Sequence, residues 1–365
     1  MRDAGLTIPS MAYVAAVLAS AEAIICWGCS APFYKGPVSD HFDGTEFFNQ
    51  ERDKKRTFWD FLRWRLTRTA GKWPDWIDDE PGTRPPERIA GEGLRVTFVN
   101  HATILIQTQG LNLLTDPVWS DRVGPGGMTL GPKRVRPPGL KWEDLPPIDV
   151  VLISHNHHDH MDVPTLARLQ AAYRPVFLVP LGNARLLAQH GIHNTVELDW
   201  WQDHTVRGPV RITLVPARHT SMRGLWDYNR ALWGGFVISA PGGPVYFSGD
   251  TGFGVHFEQI RAKFGPMRFA MLPIGAYEPS WLMSTVHCSP EDAVRAHKIL
   301  ESRMSMAHHF GTFELADDGL MSPPERLRRA MTRVGLSPDE FILPKHGQGI
   351  LVRPLGYQER RGHHD

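Results

Sequence analysis

Apolar and polar residues alternate along this chain in three styles. Residues 11–29 (MAYVAAVLASAEAIICWGC) form a mostly apolar run behind Arg2. Residues 33–88 are polar, punctuated by proline and rich in tryptophan. Within them residues 56–69 (RTFWDFLRWRLTRT) place Phe58, Phe61, Leu62 and Leu66 at the spacing of one helical stripe, interrupted by Arg65. Beyond Leu94 the pattern shifts to short β-type runs, and residues 94–107, 111–115, 149–154, 176–179, 211–216, 245–248, 269–274, 304–307 and 340–343 read as strands. Residues 163–172 predict a helix with Asp162 as N-cap and Pro164 in its first turn. Residues 290–300 predict a second, capped by Ser289 with Asp292 in capping-box register, and residues 323–334 a third. Strands followed by strand and helix alternation imply a layered α/β architecture, with helices outside two sheets.

These styles divide the chain into a signal-like segment (1–30), an extension with a basic amphipathic helix (31–90), a main domain (91–352) and a polar tail (353–365). Trp27-Gly28-Cys29-Ser30 resembles a lipoprotein cleavage site, which would place a lipidated Cys29 at the bacterial cell envelope. The alternative is an uncleaved apolar helix on a cytoplasmic, membrane-associated protein. Lys54, Lys55, Arg56, Arg63, Arg68 and Lys72 surround the amphipathic helix with positive charge. That combination suits a membrane surface, and it equally suits a helix that packs its aromatic face on the main domain, which most amphipathic helices do.

Composition narrows the field. Across 365 residues, 42% apolar and 22% charged residues are those of a chain able to build a packed core. A formal net charge of +1, without an extended basic stripe, argues against nucleic acid as a partner. Three cysteines, Cys26, Cys29 and Cys288, are too few for a disulfide framework or a cysteine-rich zinc module. Oligomeric state is left open.

The chemistry concentrates after the apolar run Ile148 to Ile153, which discharges into Ser154-His155-Asn156-His157-His158-Asp159-His160. His155 and His157, two apart in an extended segment, project to the same side and can share one metal, while Asp159 and His160 begin a turn and can face a second. Imidazole and carboxylate without thiolate suit Zn²⁺, with Mn²⁺ or Fe also accommodated. His219, Asp250 and His309 each follow a predicted strand in the same way. His155, His157 and His219 would therefore hold one metal, Asp159, His160 and His309 the other, and the Asp250 carboxylate could bridge both. Asp116, in Thr-Asp-Pro at a strand end, either orients a ligand imidazole or simply forms a turn before Pro117.

The His-x-His-x-Asp-His run with its downstream His, Asp and His resembles the metallo-β-lactamase superfamily. The segments around Asn100-His101-Ala102-Thr103, Leu114-Thr115-Asp116-Pro117, Lys133 to Pro138, Glu197 to Trp201, Pro216 to His219, Ser248 to Gly252, Ile274 to Pro279 and His309 to Phe313 narrow the likeness. Together they are similar to the branch that hydrolyses N-acylphosphatidylethanolamine as a phospholipase D. The resemblance implies an αβ/βα four-layer sandwich, two zinc ions and a phospholipid substrate. It adds His287 as a histidine that contacts phosphate or assists the leaving group, and His101 as a neighbour of the ligands. His287 also reads as a residue flanking the helix capped by Ser289. His158 stands where the family commonly has tyrosine, Met161 where it has leucine, and Cys288 follows His287, departures that leave the metal ligands intact and bear on pocket shape and substrate. Rival readings are a soluble substrate (a sugar-phosphate lactone or another phosphodiester), a β-lactam, and a non-catalytic metal-binding envelope protein.

Overall fold

The computed structural model describes residues 34–52, 56–124, 131–224 and 226–356. The lipoprotein-like site at Cys29 and the basic residues Lys54 and Lys55 lie outside them. Two seven-stranded sheets face each other. The first runs in the order β14 (Gly349–Val352), β1 (Leu94–Asn100), β2 (Thr103–Thr108), β3 (Leu111–Thr115), β4 (Val150–Leu152), β5 (Val176–Pro180), β6 (Thr195–Leu198). The second runs β13 (Phe341–Ile342), β12 (Ser305–His308), β11 (Phe269–Pro273), β10 (Val245–Phe247), β9 (Gly235–Ser239), β8 (Val210–Val215), β7 (Asp203–Arg207). Each sheet is antiparallel at one end and parallel at the other, the change falling between β3 and β4 in one and between β10 and β11 in the other.

Strand alternation decides which core each side chain joins. In β4, Val150 and Leu152 point between the sheets, while Val151 and the following Ile153 point outward under helices. The inter-sheet core continues through Phe98, Ile106, Leu214, Phe236, Phe247 and Met271. The outer face of the first sheet is covered by α2 (Val163–Tyr173) and α3 (Ala184–Gln189), through Leu166, Leu169, Leu186 and Leu187. The outer face of the second is covered by α4 (His256–Phe264), α6 (Pro290–Ile299) and α7 (Ser322–Arg333), with a short α5 (Ser280–Met283) between α4 and α6 in the chain. At about 1.5–3 kcal/mol for each fully buried aliphatic or aromatic side chain, these three apolar layers hold the helix–sheet–sheet–helix sandwich together.

Several expectations are refined by the structure. Residues 94–107, expected as one run, are two antiparallel strands, because His101 adopts φ 47° and turns the chain. Asp162 does occupy the N-cap position of α2 but does not cap it. Its carboxylate instead accepts hydrogen bonds from Ser120 N (3.1 Å) and Ser120 Oγ (2.8 Å), tying the β3–β4 connection to the helix. Ser289 and Asp292 form the expected capping box on α6. Part of the stripe on α1 (Phe58–Thr67) faces solvent. Phe61 and Leu66 are exposed, as is Trp59, and the helix is held by Trp64, which packs beside Leu282 and Ala316 and donates from Nε1 to Asp317 (2.8 Å), and by Arg68 on the same carboxylate (2.9 Å). The arginines between the apolar residues prevent that face from being buried at acceptable cost.

Candidate metal centre

The sheet topology brings six loops to one edge of the sandwich. In the first sheet the β1–β2 turn, the end of β3 and the end of β4 lie side by side, as the pairings Ile104 with Thr115 and Thr115 with Leu152 require. In the second, the ends of β8, β10 and β12 are aligned in the same way through β9 and β11. These loops carry His101, Asp116, the His155–His160 run, His219, Asp250 and His309.

His155, His157 and His219 form one cluster, with His155 Nε2 2.8 Å and His219 Nε2 3.2 Å from His157 Nδ1. Nitrogens about 2.0–2.1 Å from a tetrahedral zinc stand roughly 3.3 Å apart, so this spacing fits a shared cation. His101, Asp159, His160 and His309 form a second cluster. Asp250 lies between the two. One oxygen, Oδ2, is 2.9 Å from His309 Nε2, 3.2 Å from His160 Nε2, 3.7 Å from His287 Nδ1 and 3.9 Å from His219 Nε2. His160 Nε2, His309 Nε2, His287 Nδ1 and Asp250 Oδ1 are buried without a hydrogen-bond partner. Buried polar atoms are rarely left so, and their convergence fits a group that supplies positive charge.

The orientation of the rings follows from their other nitrogens. His160 Nδ1 faces Asp116 Oδ2 at 2.7 Å, His219 Nδ1 faces the Val286 carbonyl at 2.8 Å, and His155 Nδ1 meets Ser154 Oγ at 2.9 Å. Each contact turns Nε2 toward the centre, the arrangement by which outer partners fix the tautomer of a ligand. Asp116 also accepts from Ser154 N (2.7 Å) and Ser154 Oγ (2.5 Å), so of its two sequence readings the structure realises the contact with an imidazole. His101 Nε2 is 2.9 Å from Asp159 Oδ2 and fixes that carboxylate. His101, Asp116 and His309 all have positive φ (47°, 33° and 58°), backbone strain of the kind that gathers at functional sites. Gly249 has φ 58°, and a Cβ there would stand 2.4 Å from Ser154 Cβ, so the Asp250 loop touches the histidine loop through glycine.

The electrostatics divide along the same line. Burial, reinforced by neighbouring imidazoles, holds His155 well below its usual pKa, and burial pushes His157 down to about 4. Burial likewise takes His219 well below the usual range, against the pull of Asp250, and lowers His287 to about 3. These rings are neutral and able to donate lone pairs at ordinary pH. At His160 and His309 burial also acts downward, but Asp250 and Asp159 outweigh it and raise both, His309 to about 9. Burial would raise the two carboxylates, yet the His160 and His309 rings hold both Asp159 and Asp250 well below the normal range.

The structure thus gathers His155, His157, Asp159, His160, His219, Asp250 and His309 at one point and sets His287 on its wall, its ring 5.2 Å from His219 and 5.3 Å from His309. Ser154, the Val286 carbonyl and Asn49 also touch the cluster and were not singled out from the sequence, because a hydroxyl, a main-chain carbonyl and a lone amide leave no spacing signal. Two cavities are lined by chain neighbours of the cluster, Thr220 and Val286 in one and His158 and Met161 in the other. One of 260 Å³ is lined by Arg52, Arg56, Thr220, Tyr228 and Thr285. The other, of 400 Å³ and mostly apolar, is lined by His158, Met161, Val163, Pro164, Ala167 and Leu186.

Sandwich and site together define the class, a metal-dependent hydrolase. The profile of the Beta-lactamase superfamily domain matches residues 111–310, and the chain belongs to the metallo-β-lactamase superfamily. It is 38% identical over 268 residues to N-acyl-phosphatidylethanolamine-hydrolyzing phospholipase D 1 of Caenorhabditis elegans, covering 70% of this chain and 75% of the relative. It is 37% identical over 351 residues to an uncharacterized protein of Mycobacterium bovis, covering 94% of this chain and 90% of the other. Among solved structures, an isothiocyanate hydrolase from Delia radicum gut bacteria shares the fold with a TM-score of 0.57 at 20% identity, over 70% of this chain and 98% of that one.

Proposed function

We propose that this chain is a dinuclear zinc phosphodiesterase of phospholipase D type, cleaving N-acylphosphatidylethanolamine-like lipids to phosphatidic acid and an N-acylethanolamine. The observation that carries the dinuclear reading is the position of Asp250 Oδ2 between two imidazole sets. The likeness to the nematode enzyme supports the lipid. His155, His157 and His219 would hold one cation, and Asp159, His160 and His309 the other, with Asp250 placed between the two sets. Cations held there supply Lewis acidity toward water and toward phosphoryl oxygens. The side chains of this chain do the rest. Asp116 and Val286 fix the ring nitrogens, His101 fixes Asp159, and Asp250 and Asp159 stay ionised within the protein. His287, neutral and half-buried beside Asp250, is placed to donate to a phosphoryl or leaving-group oxygen.

The apolar cavity takes part of the lipid. His158 and Met161, two of the three positions that depart from the family pattern, line it. This favours a second reading, in which the same hydrolytic centre acts on a smaller, soluble phosphodiester. Zinc-loaded protein is tested against N-acylated and ordinary phosphatidylethanolamine, bis-p-nitrophenyl phosphate, a lactone and a β-lactam, with products identified by mass. Release of phosphatidic acid supports the lipid reading, and its absence with cleavage of the soluble diester selects the second. Envelope location through Cys29 belongs to the same proposal, and a mass shift at Cys29 after membrane extraction checks it.

A further inference from the structure

Residues 39–52 lie outside the matched superfamily region, yet they are built into the sandwich. Phe42 and Phe47 are 1% exposed and sit in the inter-sheet core with Phe98 and Phe236. Phe47 N donates to the Asn229 carbonyl (2.8 Å), and the His41 ring stacks on Trp200 at 4.4 Å and meets Asp199 at 2.7 Å. From this anchorage the segment reaches the metal centre. Asn49 Nδ2 donates to the His219 carbonyl (3.0 Å), and Asn49 Oδ1 accepts from His219 N (3.0 Å) and from Trp233 Nε1 (3.1 Å). One side-chain amide thus satisfies both main-chain polar groups of a single residue, as a neighbouring strand would.

His219 needs such a partner. It follows β8 in a loop whose own contact with the next strand end is the bridge of Arg218 with Gly252, and no strand pairs with His219 itself. Its ring is fixed at one end by Val286, so the remaining freedom lies in its backbone. A shift of the main chain would carry Nε2 away from His157 Nδ1, 3.2 Å distant. The adjoining Glu51 strengthens the arrangement, pairing with Arg218 Nη1 at 3.2 Å and accepting from Val255 N at 2.9 Å.

We infer that Asn49 is a positioning residue for the metal centre, a two-point clamp by which the N-terminal segment sets the cation affinity of the His155, His157 and His219 position and leaves the other position unaffected. The inference rests on the reading of those three histidines as ligands. Its test is zinc stoichiometry and affinity, measured by chelator competition and elemental analysis on the full chain, beside the melting temperature of the metal-free form. The unaltered protein is expected to retain two zinc ions and His219→Ala one. N49A is expected to bind one zinc as the unaltered protein does and the second about 10–100-fold more weakly, the usual effect of losing an outer partner of a ligand. N49D keeps both accepted bonds but sets a carboxylate oxygen against the His219 carbonyl in place of the donated bond, so it too should weaken the second zinc. Equal affinities for both zinc ions in N49A overturn the inference, and if N49A does not fold, unchanged affinities in N49D do so. Should His219→Ala itself keep two zinc ions, the ligand reading fails, and that outcome is distinct from failure of the clamp alone.

Discussion

At the scale of single residues the centre depends on a few atoms with no substitute. Among the described residues, Asp250 Oδ2 is the one carboxylate oxygen within 4 Å of His160, His219, His287 and His309 together. Asp250→Asn keeps the shape and removes the charge. It should lower turnover by at least about 100-fold, on the scale seen when one electrostatic contact to a transition state is lost. Full activity with both metals bound would end the bridging assignment. Gly249→Ala acts by crowding, since its Cβ would stand 2.4 Å from Ser154 Cβ. Overpacking of this kind costs about 1–3 kcal/mol, to which strain at φ 58° adds, and a lowered urea midpoint together with reduced zinc content is the expected result. The histidines and Asp250 were legible in the sequence because scarce, chemically distinctive residues stand after apolar strands. Asn49, Ser154 and the Val286 carbonyl were not, since their importance comes from the atom they touch across the fold.

At the scale of elements, legibility followed burial only in part, since the buried strand β9 (GFVIS) escaped the sequence reading. Strands with continuous apolar runs, such as β4 (VVL) and β11 (FAMLP), announce themselves. The edge strand β7 (DHTVR) alternates between exposed and half-buried residues and has no apolar face to reveal it. Short β6 (TVEL), with three half-buried residues, escaped for the same reason. Helix α1 is a different case, a visible stripe of which Phe61 and Leu66 stay exposed while Leu62 is half-buried. Its attachment runs through Trp64 and Arg68, so Trp64→Ala should cost about 1–3 kcal/mol, from a lost hydrogen bond and partial apolar burial. The triple change Trp59→Ser, Phe61→Ser and Leu66→Ser should alter stability little and reduce co-sedimentation with phospholipid vesicles. A denaturant series on both variants separates the two faces, and a large stability loss in the triple variant would contradict the exposure seen here.

At the scale of the whole molecule the charge is nearly balanced, +1 with a pI near 7.9, so long-range repulsion does little near neutral pH. Response to acid is then governed by groups that the fold keeps neutral. Three histidines away from the centre illustrate it: His256 beside Thr251 Oγ1 (3.1 Å), His297 beside Ser305 Oγ (2.9 Å) and His346 beside Thr312 Oγ1 (3.2 Å). Burial lowers His256 to about 3, lowers His297 to about 4 and takes His346 well below its usual value. The unfolded chain, with histidine near about 6.5, binds protons between that value and about 4 that the folded chain refuses. Stability contributed by these rings is therefore complete above about pH 6.5 and declines as pH falls toward 4. His41 runs the other way. Burial opposes its charge, but Asp199 and Asp40 outweigh burial and raise its pKa, so its contribution is lost only as pH rises through that elevated value. The metal-free protein should accordingly melt at progressively lower temperature from pH 6.5 to pH 4. His297→Gln keeps an amide within reach of Ser305 and cannot titrate. In that variant the dependence of unfolding free energy on pH over this window should flatten by about one proton. An unchanged slope would mean that the ring of His297 is already open to protons in the folded state, and that the α6 layer over β12 is less closed than its packing shows.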